Sequence, residues 1–142
     1  MPNIFSTQYF NKKRILVVDN VTDHSELLVY ILKTEGYSVK TANCGYSAIA
    51  KIEASPPDLV LLDLMMPGIN GLDVAKWVRQ NRPSVAVVLV TSDYELLEEL
   101  SAQAPIDGFL PKPVNWEKTI STVQAVLASK KQLEKLSYKK EA

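Results

Sequence analysis

Two stretches of this chain, LVLL (59–62) and VAVVLV (85–90), are apolar at every position rather than at every second one. A strand with one wet face alternates, whereas a strand that is apolar throughout must be covered on both faces. Strands of that kind belong to the interior of a parallel sheet with helices packed on either side. Three further runs complete the set of candidate strands, and with their flanks the five read RILVVD (14–19), YSVKTA (37–42), DLVLLD (58–63), VAVVLVT (85–91) and DGFLP (107–111).

Between the runs the apolar residues fall at helical spacing. Leu27, Leu28, Ile31 and Leu32 form one stripe, with Gly36 placed to stop the helix. Ala48, Ile49 and Ile52 mark a shorter helix that the Pro56-Pro57 pair ends. Asn70 is placed to cap a helix carrying Val74, Trp77 and Val78, closed by Pro83. Ser92 and Glu95 have capping-box spacing ahead of Leu96, Leu97 and Leu100. Asn115 precedes a long helix with Trp116, Ile120, Val123 and Leu127 on one side. Strict alternation of strand and helix predicts an α/β fold, a doubly wound (βα)5 parallel sheet. Right-handed crossovers leave the flavodoxin-like strand order 2-1-3-4-5 as the leading topology.

The chain has 142 residues, enough for one domain with a sizeable core. Residues 13–128 carry the pattern, leaving 1–12 as an N-terminal extension and 129–142 as a helical C-terminal tail. Sixteen basic and sixteen acidic residues cancel, so no global field attracts nucleic acid or an anionic membrane. The lone cysteine, Cys44, excludes an internal disulfide and reads as an inert thiol. MPNIFSTQYFNKK has no continuous apolar core and is not a secretory signal, and no run is long enough to span a bilayer, so a cytoplasmic location is expected.

In a sheet of this order, ligands bind beyond the carboxyl ends of the strands, where the order reverses. The first strand ends in Asp19-Asn20, the third in Asp63 and the fourth in Thr91-Ser92, and the fifth leads into Lys112-Pro113. Carboxylates, a hydroxyl and an amine at one end suit phosphoryl transfer to a carboxylate nucleophile. The transferring group spreads charge over several oxygens, which calls for a divalent cation and a lysine. Asp63 then serves as nucleophile, Asp19 as carboxylate for Mg2+, Lys112 as counter-charge and Thr91 as hydroxyl partner. Each has a duller reading taken singly: a helix cap for the aspartates and Thr91, a solvated charge for Lys112. His24, the only histidine, sits early in the first helix near the pocket rim and reads as an exposed helix residue.

The segments ILVVDN (15–20), PDLVLLDLMMPGINGLD (57–73), VLVTS (88–92) and GFLPKP (108–113) together resemble the signature of response-regulator receiver domains. The resemblance covers about residues 13–128 and is most specific in DLMMPGINGLD (63–73). It implies that Asp63 accepts a phosphoryl group from the histidine of a sensor kinase or phosphotransfer protein. It further implies that Asp19, Asp63 and the Met65 backbone carbonyl ligate Mg2+, that Thr91 and Lys112 engage the phosphoryl group, and that the Lys112-Pro113 bond is cis. Phe109 matches the aromatic whose rotamer reports the switch, although by composition alone it reads as core.

Two departures from the family pattern stand out. Asn20 replaces the second of two adjacent acids, so it offers Mg2+ an amide oxygen without a charge. A unit-charge pair near 4 Å is worth about 4 kcal/mol at an effective dielectric of 20, so metal affinity falls by some fraction of that figure. The stretch after Thr91 is about one residue short, and APID (104–107) replaces the small residues usual before the fifth strand. That alters the fourth-helix, fifth-strand, fifth-helix face through which many receivers signal to a protein target. Residues 129–142 are too few for an output domain, so output by protein contact is expected. The end of the last helix reads as a solvated overhang, with homodimerisation through a stripe of Ile120, Val123, Leu127, Leu133 and Leu136 as the alternative. The rival within this fold is a phosphorylation-independent pseudo-receiver adaptor, which Asn20 favours and Asp63, Thr91 and Lys112 oppose. A flavodoxin would need glycine in NVTDHS (20–25), and an aspartyl-phosphate phosphatase would need an acid where Met65 stands. No enzymatic output is therefore expected.

Overall fold

The computed structural model describes residues 12–102 and 106–141. Five strands alternate with five helices: β1 (Arg14–Val18), α1 (Thr22–Thr34), β2 (Ser38–Ala42), α2 (Gly45–Ala54), β3 (Leu59–Asp63), α3 (Gly71–Asn81), β4 (Ala86–Thr91), α4 (Tyr94–Ser101), β5 (Gly108–Pro111) and α5 (Trp116–Glu141). The strands form one sheet in the order β2-β1-β3-β4-β5, every neighbouring pair parallel. This is the doubly wound (βα)5 fold that the alternating pattern predicts.

The fully apolar runs become β3 and β4, and every residue of both strands is buried. Period-two geometry sorts their side chains into two cores. Leu16, Val60, Leu62, Val87 and Leu89 pack on one face with Ala48, Ile52, Val74, Val78 and Leu97. Ile15, Val17, Leu59, Leu61, Val88 and Val90 pack on the other with Leu28, Ile31, Leu32, Ile120, Val123 and Val126. The edge strand β2 has only one fully covered residue, Ala42, which explains its polar sequence.

Helix ends follow local chemistry. Gly36 takes φ +95°, and its N–H donates to the Lys33 carbonyl while that of Tyr37 donates to Leu32. Nothing lies near a Cβ built at this position, so the dihedral and not the space calls for glycine. Asn70 and Asp73 form a full capping box at α3, and Asn115 accepts from the Lys118 N–H at the start of α5. Cys44 caps α2, its sulfur accepting from the Ser47 N–H at 3.4 Å.

Four expectations need correction. The cap of α4 is Asp93, whose Oδ1 accepts from the Leu96 N–H at 3.0 Å, and Ser92 lies one residue too early. Leu27 is exposed, because the buried stripe of α1 runs through Ser25, Leu28, Ile31 and Leu32. Trp116 is exposed as well and meets Tyr30 edge-on, with centroids 5.7 Å apart, while Val126 takes the core position farther along α5. Phe109 is 48% exposed rather than core, since β5 is an edge strand whose covered residue is Leu110. Ala104 and Pro105 lie outside the described residues, as do the side chains of Leu100 and Leu136; Leu133 is exposed.

Gly71 sets how closely α3 approaches the end of β3. A Cβ there would fall 2.5 Å from the Asp63 carbonyl oxygen and 3.0 Å from the Leu64 Cα, both backbone atoms with no freedom to move aside. Gly71→Ala should therefore lower stability by about 1–3 kcal/mol, read as a lower urea midpoint at unchanged slope. An unchanged midpoint would show that β3 and α3 can separate freely.

Candidate functional site

The order β1-β3-β4-β5 lines up four strand ends at one edge of the sheet. Asp19 follows β1, Asp63 ends β3, Thr91 ends β4 and Lys112 follows β5. Asp19, Asp63 and Thr91 are all buried. Each carboxylate is fixed by a backbone donor two residues on. Asp19 Oδ1 accepts from the Val21 N–H at 2.8 Å, and Asp63 Oδ1 from the Met65 N–H at 3.3 Å. The Asp19 bond also satisfies a donor at the start of α1, where no side chain caps the helix.

Lys112 closes the arrangement. Its Nζ lies 3.2 Å from Asp19 Oδ2 and 3.5 Å from Asp63 Oδ1. Its backbone N–H donates to the Thr91 carbonyl at 3.0 Å, tying the fifth strand end to the fourth. The Lys112-Pro113 peptide is cis. The Thr91 hydroxyl oxygen accepts from the Asp93 N–H at 3.1 Å, so it faces the same end of the sheet from the next strand.

Not every expected residue joins this group. Asn20 is exposed at the rim. Met65 donates its N–H to Asp63, while its side chain stands out with 64% exposure and offers nothing polar to the pocket. Phe109 is exposed at the sheet edge. One residue joins that sequence reasoning left aside: His24 is exposed on α1 as expected, yet its Nδ1 comes within 3.2 Å of Lys112 Nζ and 3.6 Å of Asp19 Oδ2.

Burial pushes the Asp63 carboxyl above the usual carboxylate range. The Lys112 ammonium opposes that shift, the Asp19 charge adds to it, and the Met65 N–H works against it. Two carboxylates facing one ammonium form a hard, oxygen-rich pocket with an excess of negative charge, which suits a divalent cation such as Mg2+. Among the described residues no three His, Cys, Asp or Glu side chains are grouped to grip an ion alone. A cation here would thus complete its shell with backbone and water oxygens, as Mg2+ commonly does. No helix of the described residues is long and apolar enough to cross a membrane.

A carboxyl whose pKa is raised by folding binds its proton more readily in the native state than in the unfolded chain. Its contribution to stability is present below the unfolded pKa and is lost as pH rises through the folded one. Asp63→Asn removes that loss, so the variant should be more stable than the parent at about pH 7, with the difference closing below about pH 4. Urea midpoints across this range provide the check, and a difference independent of pH would remove burial of the charge as its cause.

Comparison with known proteins agrees with this geometry. Residues 15–124 match the family model described as response regulator receiver domain. The alkaline phosphatase synthesis transcriptional regulatory protein PhoP of Bacillus subtilis is 35% identical over 116 residues, covering 81% of this chain and 48% of the relative. The transcriptional regulatory protein CpxR of Klebsiella pneumoniae is 36% identical over 114 residues, covering 80% and 49%. The chain thus spans about half the length of the curated relatives it matches. Among solved structures, a CheY-like receiver domain protein from Methanospirillum hungatei superposes with TM-score 0.81 at 29% identity, over 86% of this chain and 98% of that one. The response regulator TrrA of Thermotoga maritima, solved with Mg2+ and a beryllium fluoride, does so with TM-score 0.75 at 37% identity, over 80% and 98%. With four polar strand ends meeting at one edge of a 2-1-3-4-5 sheet, this chain belongs to the response-regulator receiver family.

Proposed function

We propose that Asp63 is a phosphoryl acceptor, loaded from a phosphohistidine on a sensor kinase or phosphotransfer protein in the cytoplasm. The observation that carries this reading is the buried Asp63 carboxylate facing the Lys112 ammonium at 3.5 Å, beside a second carboxylate. An oxygen of Asp63 attacks phosphorus, the bond to the donor nitrogen breaks, and its electron pair stays with the departing imidazole. Lys112 neutralises charge on the phosphoryl oxygens, and the Thr91 hydroxyl donates to one of them. Asp19, Asp63 and the Met65 carbonyl would hold Mg2+, with the Asn20 amide oxygen at the rim, and the bound ion would supply further neutralisation of the transferring group. The TrrA structure with Mg2+ and beryllium fluoride supports this ion for the family.

Output runs, in this reading, through protein contact on the face formed by α4, β5 and α5, where the exposed Phe109 reports occupancy of the pocket. The zero formal charge favours a protein over nucleic acid as the target of this domain. A second reading, an adaptor that works without phosphorylation, is favoured by Asn20 alone.

Incubation with acetyl phosphate and Mg2+, followed by intact-mass measurement, separates the two. The chain should gain one phosphoryl group and Asp63→Asn none; a chain that gains nothing is the adaptor. Asn20→Asp should lower the Mg2+ needed for half-maximal rate by about threefold to tenfold, the effect of one added charge near the ion. Met65 has no group to position an attacking water, so the acyl phosphate should be long-lived and Met65→Asn should shorten its lifetime several-fold. Equal lifetimes would take Met65 out of the explanation.

A further inference from the structure

Lys112 Nζ is as close to His24 Nδ1 as to Asp19 Oδ2, 3.2 Å in each case. An ammonium has three protons and accepts nothing. Three acceptors surround this one: Asp19 Oδ2, Asp63 Oδ1 and His24 Nδ1. Lys112 can only donate, so a hydrogen bond between the two has Nδ1 as the acceptor and the imidazole proton on Nε2. The longer separation between Nδ1 and Asp19 Oδ2, 3.6 Å, agrees with two acceptors sharing a donor rather than bonding to each other.

His24 is itself held in place by the pocket. It lies in the first turn of α1, whose entry is pinned by the bond from the Val21 N–H to Asp19 Oδ1. Its own N–H donates to the Val21 carbonyl at 3.1 Å. The side chain is half exposed, so it forms part of the pocket wall on the α1 side.

We propose that His24 is a positioning residue that holds the Lys112 ammonium at the mouth of the pocket. The role rests on the phosphorylation reading of Asp63. Asp19 and Asp63 would share their oxygens between Lys112 and a divalent cation, whose charge would also repel the ammonium. A neutral imidazole nitrogen outside the carboxylate pair loses nothing to that competition. The contact therefore keeps a flexible four-carbon side chain aimed at the position of the incoming phosphoryl group while its other bonds weaken.

The test compares two substitutions in the full chain, with acetyl phosphate and Mg2+ and intact mass as the readout. His24→Phe keeps a planar ring and removes the acceptor, whereas His24→Asn sets an amide oxygen where Nδ1 stands. The phenylalanine variant should be phosphorylated about fivefold more slowly, the size of one hydrogen bond, and the asparagine variant should recover most of the rate. Nitrogen NMR of the unphosphorylated chain provides a readout that does not depend on phosphorylation: the His24 Nδ1 resonance should move in Lys112→Met. Equal rates for wild type and His24→Phe overturn the proposal, as do an asparagine variant as slow as phenylalanine or an Nδ1 resonance indifferent to Lys112. A wild-type chain that gains no phosphoryl group overturns the Asp63 reading and this role with it. That outcome is distinct from a phosphorylated chain indifferent to His24.

Discussion

Asp19 and Asp63 leave the sheet at the ends of neighbouring strands, both buried, and a single ammonium stands between them. Taking two carboxylates out of water costs several kcal/mol each unless compensating groups are fixed nearby. The protein supplies those groups from separate parts of the chain: backbone donors at Val21 and Met65, and Lys112 from beyond the last strand. The two backbone donors are local, but Lys112 meets both carboxylates only when β1, β3 and β5 lie in one sheet, so the ion-paired cluster forms with the completed sheet. Placing it at this edge is the main consequence of the fold, and it leaves Asp63 harder to ionise than an exposed carboxylate.

The architecture was legible because burial on both faces leaves a mark that no other arrangement of short strands leaves. LVLL and VAVVLV became β3 and β4, with Asp63 and Thr91 at their ends. Judging which face of an amphipathic segment is covered proved harder. Leu27 and Trp116 extend their helical stripes in sequence, yet both are exposed, and the covered positions are Leu28 and Ile31 on α1 and Ile120 and Val123 on α5. Phe109 differs from expectation for a related reason, because an aromatic in a strand is core only when a neighbouring layer reaches it and β5 lies at the edge. At α4, Ser92 and Asp93 are both good caps, and only the backbone path after Thr91 decides between them.

Within the site, each strand end announced one polar residue, so Asp19, Asp63, Thr91 and Lys112 could be read from position alone. His24 could not. Its partner lies 88 residues away, and a lone histidine on the polar side of a helix carries no periodic signal. The missing cue was geometric: the Asp19 carboxylate pins the entry of the helix after the first strand, and the first turn brings His24 to Lys112. Asp107 went unremarked for the same reason, since its partners come from β4, α3 and α5.

Asp107, at the opposite edge of the sheet, has the reverse balance of charge. There one carboxylate accepts from the Val87 N–H at 2.8 Å and meets two cations, Arg79 at 3.2 Å and Lys130 at 3.7 Å. Lys130 also donates to the Pro83 carbonyl, fastening α5 across the start of β4. The Asp107 carboxylate is outnumbered by the positive charge it meets. At the carboxyl edge the count is reversed, with two carboxylates sharing one ammonium and His24 Nδ1 within 3.2 Å of it. The second family acid would deepen the deficit, and Asn20 in its place leaves it at a single charge. A pocket short of one positive charge can still draw a divalent cation, but it holds that ion less tightly than a pocket short of two. In the proposed reading a bound cation would compete with Lys112 for the same oxygens on closer terms, and groups that fix the lysine would count for more.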